Sequence, residues 1–103
     1  MRAPYADYVN HMMRFYWKNP SKEMLHQFRS GVEERNWRAC DKVMDGIDVR
    51  QKDFLCYIYT NSSNRTIDQN LRTWCKVKQK DVQETWDFLN WVSYRVAKMR
   101  GLA

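Results

Sequence analysis

Residues 82–101 read VQETWDFLNWVSYRVAKMRG, and the spacing of their apolar side chains decides the fold class. Steps of three and four residues separate Val82, Trp86, Leu89, Val92, Val96 and Met99. This is the period of a helix that buries one face. Gly101 suits the end of such a helix, because glycine readily adopts the left-handed conformation found there. The stretch therefore predicts a long C-terminal helix.

Two helices are predicted in the first half of the chain. Apolar side chains recur at the helical period from Pro4 to about Trp17, and proline favours the first turn of a helix. Residues 22–31 have no clear periodicity and are interpreted as a connector. A second helix begins at Val32 and ends near Gly46, which we expect to take the left-handed closing conformation.

Two more helices are predicted before the last one. Asp48 is a suitable N-cap for a third helix, although the apolar run Phe54–Tyr59 would also suit a short strand. Polar residues at 60–65 predict a loop. Thr66 then caps a fourth helix, which we expect to end before a break at 76–79.

The composition also favours helices. Of the 103 residues, 44% are hydrophobic, and only three glycines and two prolines are available for tight turns. A chain of this length forms one domain with one core. We therefore expect an all-α, compact bundle of about five helices over residues 1–103, with a helix-turn-helix-like portion at residues 48–100.

The cysteines and histidines give little sign of a metal site. Cys40, Cys56 and Cys75 are widely spaced and form no C-x-x-C pair, which favours a reducing compartment and packing in the core. A zinc site would require the fold to bring them together with His11 or His26. No apolar run is long enough to span a membrane, and the N-terminus does not resemble a signal peptide. We expect a cytoplasmic protein without a cofactor or membrane contact.

Catalytic patterns are also absent from the sequence. Acid–base catalysis needs paired carboxylates or a histidine with a partner, and the two histidines stand in separate segments. There is no glycine-rich phosphate loop and no G-x-S-x-G nucleophile motif. The sequence does not predict an enzyme.

The strongest functional signal is a basic stretch. The chain carries a net charge of +6, and residues 51–103 hold nine basic against five acidic residues, compared with nine against seven in residues 1–50. Within residues 72–80 there are four basic residues and no acid. They stand where a supporting helix would lead into a DNA-reading helix, whose free N-terminal N–H groups could also meet a phosphate.

This interpretation assigns a role to each residue near the turn. Arg65, Arg72 and Lys76 would contact phosphates, whereas Lys78, Gln79, Lys80 and Gln83 would point toward base edges. Neutralising about four to six phosphates would make binding fall steeply with salt. The same residues could instead form a solvated basic face on an ordinary bundle.

The second half of the chain also resembles a known group of regulators. The matching motifs are Ile47-Asp48, Leu55-Cys56-Tyr57-Ile58-Tyr59, Val82 to Trp86, and Val96-Ala97-Lys98-Met99-Arg100-Gly101-Leu102. They resemble small phage-encoded regulators related to sigma factor region four, including the autolysin-regulator type of late-gene activator. The resemblance covers about half of the chain. It implies a helical domain that binds promoter DNA through the start of its penultimate or last long helix.

Aromatic residues off the main apolar stripes suggest a protein interface. Trp91 with Phe88 on the last helix, and Trp17 at the end of the first, are candidates for such contacts. A homodimer through the last helix would suit a reader of two half-sites. Two functions are therefore expected: a small DNA-binding transcriptional regulator, or alternatively an inhibitor or adaptor that binds a host protein, for example an anti-CRISPR-like inhibitor of a nuclease.

Overall fold

A computed structural model describes residues 3–18, 28–60 and 66–103. These residues form five helices and no strand: α1 (Ala6–Lys18), α2 (Gly31–Met44), α3 (Val49–Thr60), α4 (Ile67–Lys78) and α5 (Val82–Arg100). The all-α prediction is confirmed, and the strand alternative for Phe54–Tyr59 is wrong because this run lies inside α3. Most of both predicted connectors, together with His26 and Arg65, lies outside the described residues.

Local side chain–backbone hydrogen bonds begin the helices where the sequence predicts. At the start of α3, the amide of Gln51 donates to Asp48 Oδ1 at 2.8 Å. Thr66 and Gln69 form a reciprocal capping box at the start of α4. At the other end of α5, Gly101 has φ +83°, in the left-handed region. The predicted caps at Asp48 and Thr66 and the predicted stop at Gly101 are confirmed.

The prediction for Gly46 is wrong. The residue that closes α2 is Asp45, which keeps right-handed angles (φ −58°, ψ −27°), and Gly46 does not have a positive φ. The amide of Gly46 donates to the carbonyl of Val43 at 3.2 Å, and the amide of Ile47 donates to the carbonyl of Met44 at 3.1 Å. The chain thus keeps turning in the same sense and places Ile47 in the core, so no left-handed residue is needed.

The predicted break at 76–79 comes too early, because α4 continues to Lys78. Gln79 then adopts the left-handed conformation (φ 56°, ψ 51°). The amides of Gln79 and Lys80 both donate to the carbonyl of Cys75 and close the helix. A glutamine therefore occupies a conformation that glycine commonly takes at helix ends.

The core lies between α1, α2 and α5, with α3 and α4 packed beside them. Fully buried side chains include Val9, Met12, Met13, Trp37, Cys40, Leu55, Ile58, Leu71, Val92 and Val96. The prediction that cysteines pack in the core is confirmed for Cys40 and Cys75, whereas Cys56 is half-buried. Burial raises the pKa of the Cys40 thiol from 9.0 to about 12.

Two buried asparagines connect the helices. Asn36 on α2 donates from Nδ2 to the hydroxyl of Tyr8 on α1 at 3.0 Å, and its Oδ1 accepts from Arg100 Nε on α5 at 2.6 Å. Asn70 on α4 donates from Nδ2 to the carbonyl of Ile58 on α3 at 3.1 Å. Buried amides are favourable only when hydrogen-bonded, so these contacts fix how the helices are arranged.

A third polar contact joins α1 and α2. The Tyr16 hydroxyl donates to Asp41 Oδ1 at 2.8 Å. Burial, and then this hydrogen bond, raise the pKa of Tyr16 above its ordinary value. Burial also raises the pKa of Tyr59, whose hydroxyl donates to Asn10 Oδ1 at 3.4 Å.

Candidate nucleic-acid interface

The basic stretch runs from the middle of α4 to its C-terminal end and into the turn after it. Its four members Arg72, Lys76, Lys78 and Lys80 are all exposed. The opposite side of α4 is anchored, because Leu71 and Cys75 are buried. The Cys75 thiol also donates to Thr85 Oγ1 on α5 at 3.3 Å. The charges are therefore carried by a helix end that is held firmly against α5.

These four side chains do not form one patch. Residues one turn apart share a face of a helix, so Arg72 and Lys76 lie together on the outward side of α4. Lys78 lies one turn after Trp74, and its Nζ stands 5.3 Å from the centre of the Trp74 ring. Lys78 and Lys80 line a groove between α3, α4 and α5. The helix end therefore presents positive charge on two sides.

Arg72 forms an ion pair with a neighbouring acid. Its Nε donates to both carboxylate oxygens of Asp68, at 3.2 and 3.0 Å. Both side chains are about half exposed, and ion pairs of this kind are weak and readily exchanged. Within the described residues no ion pair engages Lys76 or Lys80. All four basic side chains can therefore turn toward a phosphate, although Arg72 must first exchange its contact with Asp68.

The groove is a feature that the sequence interpretation missed. It has a volume of about 650 Å³, and its floor is aromatic, formed by Phe54, Trp74 and Phe88. Three basic and three acidic residues surround it: Arg50, Lys78, Lys80, Asp53, Asp81 and Glu84. Arg50 precedes Lys78, the nearer of the other two basic residues, by 28 positions, so only the fold reveals that it belongs here. The opposed charges make this groove less attractive to a polyanion than the outward side of α4.

The start of α5 differs from the expected DNA-reading helix. Asp81 caps it, and Asp81 Oδ2 accepts from the amide of Glu84 at 2.8 Å, so this amide is not free for a phosphate. The expectation of free N-terminal N–H groups is therefore wrong for the amide of Glu84. Exposed Glu84 and Asp87 stand on the first two turns, and Gln83 donates from Nε2 to Asp87 Oδ1 at 3.0 Å. The predicted base-contacting Gln79 and Gln83 are both exposed, but Gln83 lies beside the acids Glu84 and Asp87.

The predicted interface aromatics fall into two separate groups. Trp91 on α5 is 48% exposed and stacks on Phe88, with ring centres 6.3 Å apart. Trp17 is partly buried and meets Tyr16 edge-on at 5.2 Å. The indole Nε1 of Trp17 is buried and has no hydrogen-bond partner among the described residues. Trp91 is thus exposed enough for a partner, whereas Trp17 mainly packs on the core.

The part of the chain that the structure describes holds no group of three or more histidine, cysteine or acidic side chains able to bind a metal. Nor does any of its helices combine the length and apolar character needed to cross a bilayer. Comparison with known proteins found no matching family model, no matching curated protein and no matching solved structure.

Proposed function

We propose that this chain is a small regulator that binds duplex DNA through the basic C-terminal end of α4. The observation that carries the proposal is the exposure of Arg72, Lys76, Lys78 and Lys80, which lie on two sides of α4 and in the turn after it. Because the buried side of α4 is held by the core, these charges are positioned before binding. Such preorganisation lowers the entropic cost of association.

The connection between α4 and α5 supports a helix-turn-helix interpretation. Three residues, 79–81, join the helices, which is the length typical of this motif. The first of them, Gln79, takes the left-handed conformation in which glycine is common. The turn geometry is therefore compatible with the motif even though its sequence is not typical.

The acids on α5 limit what this surface would recognise. Asp81, Glu84 and Asp87 would repel the phosphate backbone if the start of α5 entered the major groove. Lysine contacts to phosphates carry no sequence information. We therefore expect affinity to depend on salt much more than on base sequence.

A salt titration with random duplex DNA tests the proposal. Phosphate contacts from both sides of α4, four in all, predict a slope of log affinity against log salt of about −3.6, so that a threefold rise in salt lowers affinity about fiftyfold. Removing two contacts in the Lys76→Gln/Lys80→Gln variant should reduce the slope to about −1.8. Fluorescence anisotropy of labelled DNA measures both values.

A matched control separates a defined site from general charge. Lys18 and Lys42 are exposed lysines on α1 and α2, so Lys18→Gln/Lys42→Gln makes the same change in net charge away from α4. The proposal requires this variant to keep the wild-type slope. It is wrong if both variants lose affinity equally, or if wild-type protein does not bind DNA at low salt.

The alternative function, an inhibitor or adaptor of another protein, is favoured by one observation. The second half of α5 and the residues after it expose large apolar side chains, each 39–48% exposed: Trp91, Tyr94, Met99 and Leu102. Exposed apolar patches often mark protein interfaces. Two results together would favour this alternative: every α4 variant keeps the wild-type DNA affinity, and the chain forms a stable complex with a host nuclease.

A further inference from the structure

One side of α5 faces solvent along most of the helix, and it is here called the α5 outer face. Its members are Glu84, Asp87, Trp91, Tyr94, Arg95, Lys98 and Leu102, the last of which follows the helix end. All are exposed, and at 100° per residue the six that lie within the helix fall in one broad stripe opposite the buried Leu89, Val92 and Val96. This stripe belongs neither to the core nor to the basic end of α4.

Charges on the α5 outer face are arranged symmetrically about Trp91. Glu84 and Asp87 stand seven and four residues before it, and Arg95 and Lys98 stand four and seven residues after it. At 1.5 Å per residue, these distances are about 10 and 6 Å on either side. The first half of the stripe is therefore acidic and the second half is basic.

This arrangement is complementary to itself in only one orientation. In an antiparallel pair of α5 helices related by a two-fold axis near Trp91, the acidic half of each copy faces the basic half of the other. A parallel pair would place acids against acids and bases against bases, which is unfavourable. A two-fold interface uses the same patch on both copies, so a self-complementary patch is what it requires.

We propose that the partner of the α5 outer face is a second copy of this chain, packed antiparallel through α5. The proposal goes beyond DNA binding and does not depend on it. Glu84 and Asp87 of each copy pair with Arg95 and Lys98 of the other, while the two Trp91 rings meet near the axis.

Apolar side chains supply the contact between these charges. Trp91 and Tyr94 are 48% and 43% exposed, so much of their ring surface is in water in the single chain. Steps of three and four residues lead from Glu84 through Asp87, Trp91 and Tyr94 to Lys98, which is the spacing of a coiled-coil seam. Pairing would therefore remove both aromatic rings of each copy from water.

The basic side chains already lie beside these rings. Arg95 Cζ is 5.5 Å from the centre of the Trp91 ring, and Lys98 Nζ is 5.7 Å from that of Tyr94. Cation–π contacts of this kind hold the charged groups over the stripe instead of letting them extend into solvent. The positive half of the interface is thus partly arranged before the second copy arrives.

The area of the α5 outer face limits the affinity of the expected dimer. A helix of 19 residues is about 28 Å long, and one side of it buries less than the roughly 1,200 Å² typical of stable complexes. We therefore expect a weak dimer, with a dissociation constant in the micromolar range or above. Its charge pairs are exposed at the rim, so raised salt should weaken it.

Charge reversal provides the test. One variant, Glu84→Lys/Asp87→Lys, makes the whole face basic, and the other, Arg95→Glu/Lys98→Glu, makes it acidic. Sedimentation of the wild-type chain over a wide concentration range at low salt should show a monomer–dimer equilibrium. Each variant alone should be monomeric, and an equimolar mixture of the two should dimerise again.

The mixture also excludes misfolding as an explanation, since two unfolded variants would not restore a dimer. Circular dichroism checks that each variant keeps its helix content. Lys18→Glu/Lys42→Glu makes the same charge change as the acidic variant on α1 and α2, and it should leave the dimer unchanged. A wild-type chain that stays monomeric throughout, a dimer that survives in both variants, or a mixture that stays monomeric would each overturn the proposal.

Discussion

Replacing Asn70 with alanine should strongly destabilise the protein, because this residue holds α4 against α3. Its side chain is 1% exposed, and its Nδ2 donates to the carbonyl of Ile58 at 3.1 Å. Ile58 is in the last turn of α3, where carbonyls have no partner within the helix. The side-chain amide therefore gives this buried carbonyl a hydrogen bond from α4.

The size of the effect follows from this contact. Leaving a buried acceptor unsatisfied costs about 1–3 kcal/mol, and the small cavity adds to it, so we expect a loss of about 2–3 kcal/mol. Unfolding entropy near 2.1 cal/mol/K per residue gives about 0.22 kcal/mol/K for 103 residues. The melting temperature should therefore fall by about 9–14 °C.

Urea unfolding followed by circular dichroism measures this loss. Asn90 is an exposed asparagine on α5, and Asn90→Ala should change stability by less than about 0.5 kcal/mol. Asn70→Asp has nearly the same shape but donates a hydrogen bond only when protonated. Burial raises the pKa of an introduced carboxyl above its unfolded value of about 3.9, so the deficit of this variant should shrink as the pH falls. A loss below about 0.5 kcal/mol in Asn70→Ala would refute the reasoning.

Three further predictions concern stability. Gln79→Gly should stabilise the protein by about 0.5 kcal/mol, because glycine adopts the left-handed conformation without steric cost; a lower urea midpoint would contradict this. Gly46→Ala should raise stability by about 0.4–1 kcal/mol, since an added Cβ meets nothing closer than Val43 O at 3.8 Å and φ is not positive, and calorimetry should show a higher melting temperature. The raised pKa of Cys40 means that the folded state favours the neutral thiol. The contribution of this group to the free energy of unfolding is therefore fully present below pH 9.0 and is lost as the pH rises toward about 12. A urea midpoint that stays constant across this range would argue against it.

The features that could be predicted from sequence depend on neighbouring residues. Caps at Asp48 and Thr66 were predictable because each side chain bonds to an amide three residues ahead. The α5 helix was predictable for the same reason, because the spacing of its apolar residues is visible within the helix sequence itself. In contrast, nothing near Gln79 signals a left-handed residue, because that conformation follows from closing α4 where it meets α5.

The candidate site was only partly predictable for a similar reason. Exposure of the four basic residues followed from their polarity, but their separation onto two sides required knowing that α4 reaches Lys78. Arg50 joins them only through the packing of α3 on α4. The acids at the start of α5 were visible in the sequence, yet the role of Asp81 as a cap that occupies a helix amide appears only in the hydrogen bonds.

The contact between Asn36 and Arg100 should limit local unfolding at the C-terminal end of α5. Helix ends usually fray, and their amides exchange with solvent quickly. Here the last turn of α5 is tied to Asn36, which is in turn bonded to Tyr8, so this turn cannot unwind without disturbing α1 and α2. The C-terminal turn of α5 should therefore exchange its amide hydrogens as slowly as the interior of α2, and helices from both ends of the chain should unfold as one cooperative unit.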